Sequence, residues 1–147
     1  MTLYRRVLLD TSAIVAIFVP NEQNHASCVE TLAEIQRPLL TTWPVLTEAH
    51  YLLRDDRESQ AALLSLAKSP VLELVPLDNE FIAWCEQFVK RYQDQEVQLA
   101  DASLVWLAER LRTNTVFTLD RRDFSIFRIQ RESSTEAFRI LPGDADH

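Results

Sequence analysis

A single α/β domain, with a mainly parallel sheet covered by helices on both faces, is what this sequence predicts. Two observations carry the prediction. Short β-like apolar runs alternate along the whole chain with longer stretches of helical spacing, and no linker, repeat or charge block interrupts them. The length of 147 residues and the 47% apolar content suit one core, so residues 1–147 are expected to form one domain.

The elements follow in order. Val7 to Leu9 is a short apolar run, and Asp10-Thr11-Ser12 behind it offers cap chemistry for a helix starting near Ala13. Asn21 to Ile35 places Ala26, Val29, Leu32, Ala33 and Ile35 at roughly helical spacing, and Pro38 ends it. Leu39 to Thr42 reads as a second strand. Pro44 suits the first turn of the next helix, whose stripe is Val45, Ala49, Leu52 and Leu53. Arg57 to Ala67 continues helical, Ser69-Pro70 breaks it, and Val71 to Val75 is the third strand. Asp78 caps a helix running to about Tyr92. Gln98 to Leu111 is the strongest helix, Thr115 to Leu119 a β-branched strand, and Phe138 to Leu141 a last short strand before Pro142.

Composition excludes several functions. Gly143 is the only glycine, so the glycine-rich loops of P-loop and Rossmann nucleotide sites and the G-x-S-x-G elbow of α/β-hydrolases are absent. Cys28 and Cys85 lack C-x-x-C partners and sit in helix-like apolar surroundings, as small core residues of a reducing compartment do. Arg5 and Arg6 precede an apolar run in the manner of a signal peptide. Asp10 interrupts that run, however, and the stretch from Ala13 to Val19 is too short to span a bilayer. A cytoplasmic protein without membrane attachment is expected.

Four carboxylates are placed with purpose. In an open parallel sheet, ligands bind outside the carboxyl ends of the strands, and the helices that run back begin at the same edge. Asp10 follows the first strand and Asp120 follows the strand ending at Leu119, with Thr118 on the same side as Asp120 by the period of two. Glu48 lies about one turn into the helix after the second strand, between Val45 and Leu52. Asp101 is in the first turn of its helix, and its helical neighbours Val97, Leu104, Val105 and Ala108 are apolar, with no basic partner in reach. Burying such a carboxylate is costly unless something compensates. If the four meet, two carboxylates about 4 Å apart repel by about 4 kcal/mol at an effective dielectric near 20. A divalent cation relieves this, and an all-oxygen site suits Mg²⁺ or Mn²⁺.

Each acid also has a plain structural role available: Asp10 as an N-cap, Asp101 as a first-turn residue favoured by the helix dipole, Asp120 as a turn residue in L-D-R-R-D, Glu48 as a solvated helix flank. Their coincidence at one sheet edge favours a shared site. His25, His50 and His147 have no ligand spacing. Trp43, Trp84 and Trp106 could stack on bases, although Trp84 and Trp106 fall in amphipathic helices suited to packing.

Through L-L-D-T-S-A-I-V-A at Leu8 to Ala16, L-T-E-A-H-Y-L-L at Leu46 to Leu53, L-A-D-A-S-L-V-W-L-A at Leu99 to Ala108 and V-F-T-L-D-R-R-D-F at Val116 to Phe124, the sequence resembles the PIN domain family, in particular the toxin ribonucleases of VapC type. The resemblance implies a three-layer α/β/α fold and a Mg²⁺- or Mn²⁺-dependent endoribonuclease. It implies that Asp10, Glu48, Asp101 and Asp120 form the catalytic metal site, supported by the hydroxyl groups of Thr11 or Ser12 and of Thr118. Asp123 is a further supporting candidate, as ligand neighbour or turn cap. It also implies a cognate antitoxin protein and a homodimer. A PIN nuclease of RNA processing is an alternative within the fold. A receiver-like phosphoacceptor domain also gathers acids at strand ends, but it wants a lysine near the last strand, and Lys68 and Lys90 are the only lysines.

The net charge of −7 opposes nonspecific nucleic-acid binding. The imbalance is uneven: residues 1–100 hold 8 basic and 14 acidic side chains, residues 101–139 hold 7 and 6, and residues 140–147 hold two acids. Phosphate contacts are therefore expected from the later segment. Arg121 and Arg122 beside Asp120 are the first candidates for RNA binding, followed by Arg128 and Arg131.

Overall fold

The structure is a computed structural model and describes residues 3–143. His147 and the acidic pair Asp144 and Asp146 lie outside the described residues. The order is β1 (Leu8–Leu9), α1 (Thr11–Phe18), α2 (His25–Ala33), β2 (Leu39–Thr41), α3 (Trp43–Leu52), α4 (Arg57–Ala67), β3 (Leu72–Leu74) and α5 (Glu80–Arg91). It continues with α6 (Leu99–Leu111), β4 (Thr115–Phe117), α7 (Arg121–Ile126), β5 (Arg128–Gln130), β6 (Thr135–Ala137) and β7 (Arg139–Leu141).

Five strands form one parallel sheet in the order β3-β2-β1-β4-β7, while β5 and β6 make a separate antiparallel pair. Leu8, Leu9, Leu39, Leu40, Val116 and Phe117 are all buried, as strands covered on both faces require. From β1 the chain moves outward through β2 to β3 and then returns to β4 on the other side of β1. The crevice at this reversal of strand order, outside the carboxyl ends of β1 and β4, is where an open α/β sheet binds its ligand.

Local chemistry accounts for the helix starts. The α4 terminus is capped by Asp56, which accepts from the backbone N–H groups of Glu58 and Ser59. Asp78 accepts the N–H of Glu80 at 3.0 Å just ahead of α5, but the N-cap position falls one residue later than the sequence suggests, on Asn79. At α3 and α6 the two N-termini are fastened to each other. Ser103 donates to the Ala100 carbonyl at 2.7 Å, so the buried Thr42 hydroxyl 2.6 Å away is the donor to Ser103. This bond fixes the relative position of the helices that carry Glu48 and Asp101.

Several boundaries differ from the sequence reading. The first helix begins at Thr11 rather than near Ala13, and the second shrinks to α2, with turns replacing residues 21–24. The larger difference lies between β4 and β7. The sequence reading passes directly from one strand to the next, but the two strands pair in parallel, and a parallel pair needs a crossover. The crossover is built from α7 and the β5–β6 pair. α7 has only six residues, and only Ile129 of the pair is fully buried, too little periodicity for a reader of sequence to detect.

Trp84 and Trp106 belong to the core. Trp84 stacks on Phe88 at 4.8 Å between centroids and meets Trp106 edge-on at 5.5 Å. Cys28 and Cys85 are buried free thiols. Among the described residues, no helix is long and apolar enough to cross a membrane.

Candidate metal centre

The register of β1 against β4 generates the heart of the site. Leu9 pairs with Phe117, and the Asp10 N–H donates to the Phe117 carbonyl at 3.0 Å, so the next positions, Asp10 and Thr118, face each other across the strand ends. Thr118 is fully buried, and its hydroxyl donates to Asp10 Oδ2 at 2.6 Å while accepting the Asp120 N–H at 3.0 Å. With that proton committed, the Ser12 hydroxyl is the donor in its 3.1 Å contact with Thr118, or to Asp10 Oδ2 at 3.4 Å, and it accepts the Leu119 N–H at 2.8 Å. One hydroxyl pair thus holds both strand-end acids in place.

Asp10 occupies the N-cap position of α1 but makes no side-chain cap bond. Its carboxylate is turned into the site, 3% exposed as a residue, and Oδ1 has no hydrogen-bond partner. An orphaned buried carboxylate oxygen is costly and calls for a ligand. Burial pushes the Asp10 carboxyl up to about 6, against the stabilising bond from Thr118.

The other acids arrive from the helices. Asp101, in the first turn of α6, is buried, and burial followed by the charges of Asp10, Asp120, Asp123 and Glu48 pushes its carboxyl up to about 8. Asp120 is the N-cap of α7, with Oδ1 accepting the Asp123 N–H at 3.1 Å. It therefore plays the structural role available to it and faces the site as well. Carboxylate oxygens of Asp101, Asp120 and Asp123 lie within 4.8 Å of one another. Burial and the neighbouring Asp120 raise the Asp123 carboxyl too. Glu48 is half-buried in α3 and lines the same cleft of about 330 Å³ as Asp10, Asp101 and Asp120.

All four sequence-predicted acids therefore meet, and Asp123 comes closer to the cluster than a turn cap requires. Ser12 and Thr118 are the hydroxyl groups within hydrogen-bonding distance of Asp10 Oδ2. Thr11 lines the cleft, but its hydroxyl points away from Asp10, to the Val45 carbonyl at 3.5 Å. Glu22 also lines the cleft and was missed, because the irregular turn after α1 carries no periodic signal. Arg121 and Arg122 are exposed beside Asp120, with Arg121 donating to the Pro142 carbonyl at 2.7 Å. Arg128 donates to the carbonyls of Ser125, Ile126 and Phe127, and Arg131 pairs with Glu136 at 2.7 Å, so both guanidinium groups serve the fold. His25 and His50 are likewise engaged elsewhere, with the Ala16 carbonyl and with Gln60.

The donor set fits a hard divalent cation: carboxylates of raised proton affinity, an orphaned oxygen, and no soft ligand among the residues lining the cleft. Thr118→Val is expected to weaken Mn²⁺ binding by about 10- to 100-fold, because a second hydrogen-bonding shell orients the ligand. Isothermal titration with Mn²⁺ reads this, and unchanged affinity would show that Thr118 serves packing alone.

Comparison with known proteins agrees with this geometry. Residues 7–130 match the model of a family described as the PIN domain. A curated relative, Ribonuclease VapC26 of Mycobacterium tuberculosis (strain ATCC 25618 / H37Rv), is 36% identical over 124 residues, covering 83% of this chain and 92% of the relative. The crystal structure of Mycobacterium tuberculosis VapC20, described as a sarcin-ricin loop cleaving toxin, superposes with a TM-score of 0.73 at 16% identity, covering 82% of this chain and 92% of that one. That likeness establishes the three-layer α/β/α arrangement of sheet and helices.

Proposed function

Because the chain belongs to the PIN domain family, we propose that its acidic cleft is the active site of a metal-dependent endoribonuclease, the toxin of a type II toxin-antitoxin pair. One observation supports the site above all others: Asp10 is buried with Oδ1 unpartnered, in a cleft shared with Glu48, Asp101 and Asp120. In this reading those four residues hold Mg²⁺ or Mn²⁺, and Asp123 stands beside them. Bound there, the cation supplies Lewis-acid chemistry, neutralising charge on the scissile phosphodiester and lowering the pKa of water.

The chain's own residues do the rest. Thr118 donates to Asp10 Oδ2, so Oδ1 is the carboxylate oxygen without a protein partner. Thr118 also fixes the backbone of Asp120, so both strand-end carboxylates are held before substrate arrives. Arg121 and Arg122 offer the RNA backbone a positive contact beside an otherwise anionic cleft. We read residues 1–147 as one domain. A cognate antitoxin is the expected partner, with a basic segment complementary to the acid cluster, and the active form is a homodimer.

The test is expression in cells with and without the adjacent open reading frame, together with sequencing of RNA 5′ ends. Growth arrest with discrete cleavage, relieved by the neighbour, is the expected result. Purified protein should cut the same RNA with Mg²⁺ or Mn²⁺ and stop when EDTA is added. Cleavage that continues in EDTA would overturn the metal assignment, and the absence of any RNA cleavage would overturn the activity.

A further inference from the structure

We propose that Trp43 and Tyr51 form a nucleobase-stacking subsite beside the acidic cleft, which seats a base of the RNA strand next to the phosphodiester to be cut. The proposal rests on the ribonuclease reading and adds to it a means of holding single-stranded RNA.

Three observations converge on this. First, Trp43 is 61% and Tyr51 60% exposed, whereas Trp84 and Trp106 pack in the aromatic core. Second, the two exposed rings and Thr47 fall at i, i+4 and i+8 along α3, on one face. They line a groove of about 700 Å³, which is continuous with the acidic cleft because Glu48 and Gln98 line both. At 1.5 Å per residue, the backbone positions of Trp43 and Tyr51 lie about 7.5 Å and about 4.5 Å along the helix axis from that of Glu48, on either side of it. A strand with its phosphate at the acids would therefore carry a neighbouring base over this face. Third, Tyr51 presents its ring to planar partners: the Arg54 guanidinium already stacks on it at 4.1 Å, and a base takes the opposite face or displaces it.

Charge explains why such a subsite is needed. Proteins that bind nucleic acid through phosphates rely on a basic surface, and this chain carries −7. Stacking needs no charge, tolerates any base, and works on unpaired strands. An acidic nuclease can gain affinity for single-stranded RNA in this way without attracting duplex nucleic acid in general.

Two readouts separate this proposal from the reading beneath it. Cleavage by the wild-type protein of a single-stranded oligoribonucleotide spanning the mapped site, with Mn²⁺, reports the ribonuclease. Stacking is reported by binding of the same oligonucleotide to the Asp101→Asn protein, followed by tryptophan fluorescence, and by comparison with a twin carrying an abasic nucleotide beside the scissile position. Quenching is expected with the first oligonucleotide and not with the twin. In the cleaving protein, Trp43→Ala and Tyr51→Ala should each raise KM about tenfold or more, and Trp43→Phe should restore most of the loss. Either alanine variant should lose the preference for the base-bearing strand. Wild-type KM and undiminished base preference in both alanine variants would overturn the subsite. Conversion of a dimer to a monomer by Trp43→Ala, seen by light scattering with base preference intact, would overturn it too and make the face a contact between copies of the chain. If the wild type cuts no RNA, the ribonuclease reading fails, and with it the proposal.

Discussion

Asp101→Asn is expected to abolish RNA cleavage, by about 10³-fold or more, while leaving the protein folded and, in EDTA, more stable than the parent. The two halves of the result have one cause. Asp101 is buried among four other acids, and its carboxyl is pushed up to about 8 by burial first and by those charges second. A residue retained for stability would not be placed so, since an asparagine of the same shape avoids both penalties. Removing the charge relieves the metal-free fold but removes a cation ligand, and loss of one charge-stabilising group at a reacting centre costs about 10²–10³ in rate before any loss of the cation itself. Gel-based cleavage rates and thermal melts in EDTA and in Mn²⁺ read the outcome. Mn²⁺ should raise the melting temperature of the parent and hardly that of the variant. Full cleavage by the variant would remove Asp101 from the site, and a lower melting temperature in EDTA would make it a structural residue.

How far the site could be read in the sequence depends on which link of the chain is considered. Asp10, Glu48, Asp101 and Asp120 were legible because each stands at a position with a rule attached: the end of a strand, the first turns of a helix, an apolar helical face. The Thr118 bond to Asp10 was half legible. Period two put Thr118 beside Asp120, but its place opposite Asp10 comes from the β1–β4 register, a contact between residues 108 apart in sequence. Asp123 and Glu22 were harder, because a short helix and an irregular turn carry no periodicity. The same reason hid α7 and the β5–β6 pair. Arg128 and Arg131 are a different case. A guanidinium reads as a phosphate contact in sequence, and only the fold reveals the carbonyls and the carboxylate that already engage it.

Those raised carboxyl groups also dictate how the metal-free protein responds to pH. Asp10 and Asp101 hold their protons more tightly folded than unfolded, with values of about 6 and about 8 against an ordinary 3.8. Between the unfolded and folded values the native state binds more protons, so stability falls as pH rises, by up to about 1.4 kcal/mol per pH unit for each group. Asp10 and Asp101 both contribute to the fall from pH 3.8 to about 6, Asp101 carries it on to about 8, and the raised Asp123 acts in the same direction. Asp56 and Glu136 act in the other direction. Hydrogen bonds from Ser59 and Arg131 lower their carboxyl groups, and their stabilisation disappears in acid. The metal-free protein is therefore expected to be most stable near the ordinary carboxylate range and to weaken toward pH 8, unlike most proteins. Urea unfolding in EDTA at pH 4.5, 6 and 8 measures this. The decline between pH 6 and 8 should vanish in Asp101→Asn, and a decline that persists in the variant would place the titrating group elsewhere. Saturating Mn²⁺ should reverse the decline in the parent, because a cation competes with the very protons whose loss destabilises the fold and binds tighter as they leave. Cleavage should rise over the same interval, since Asp101 must be ionised before it can serve as a ligand.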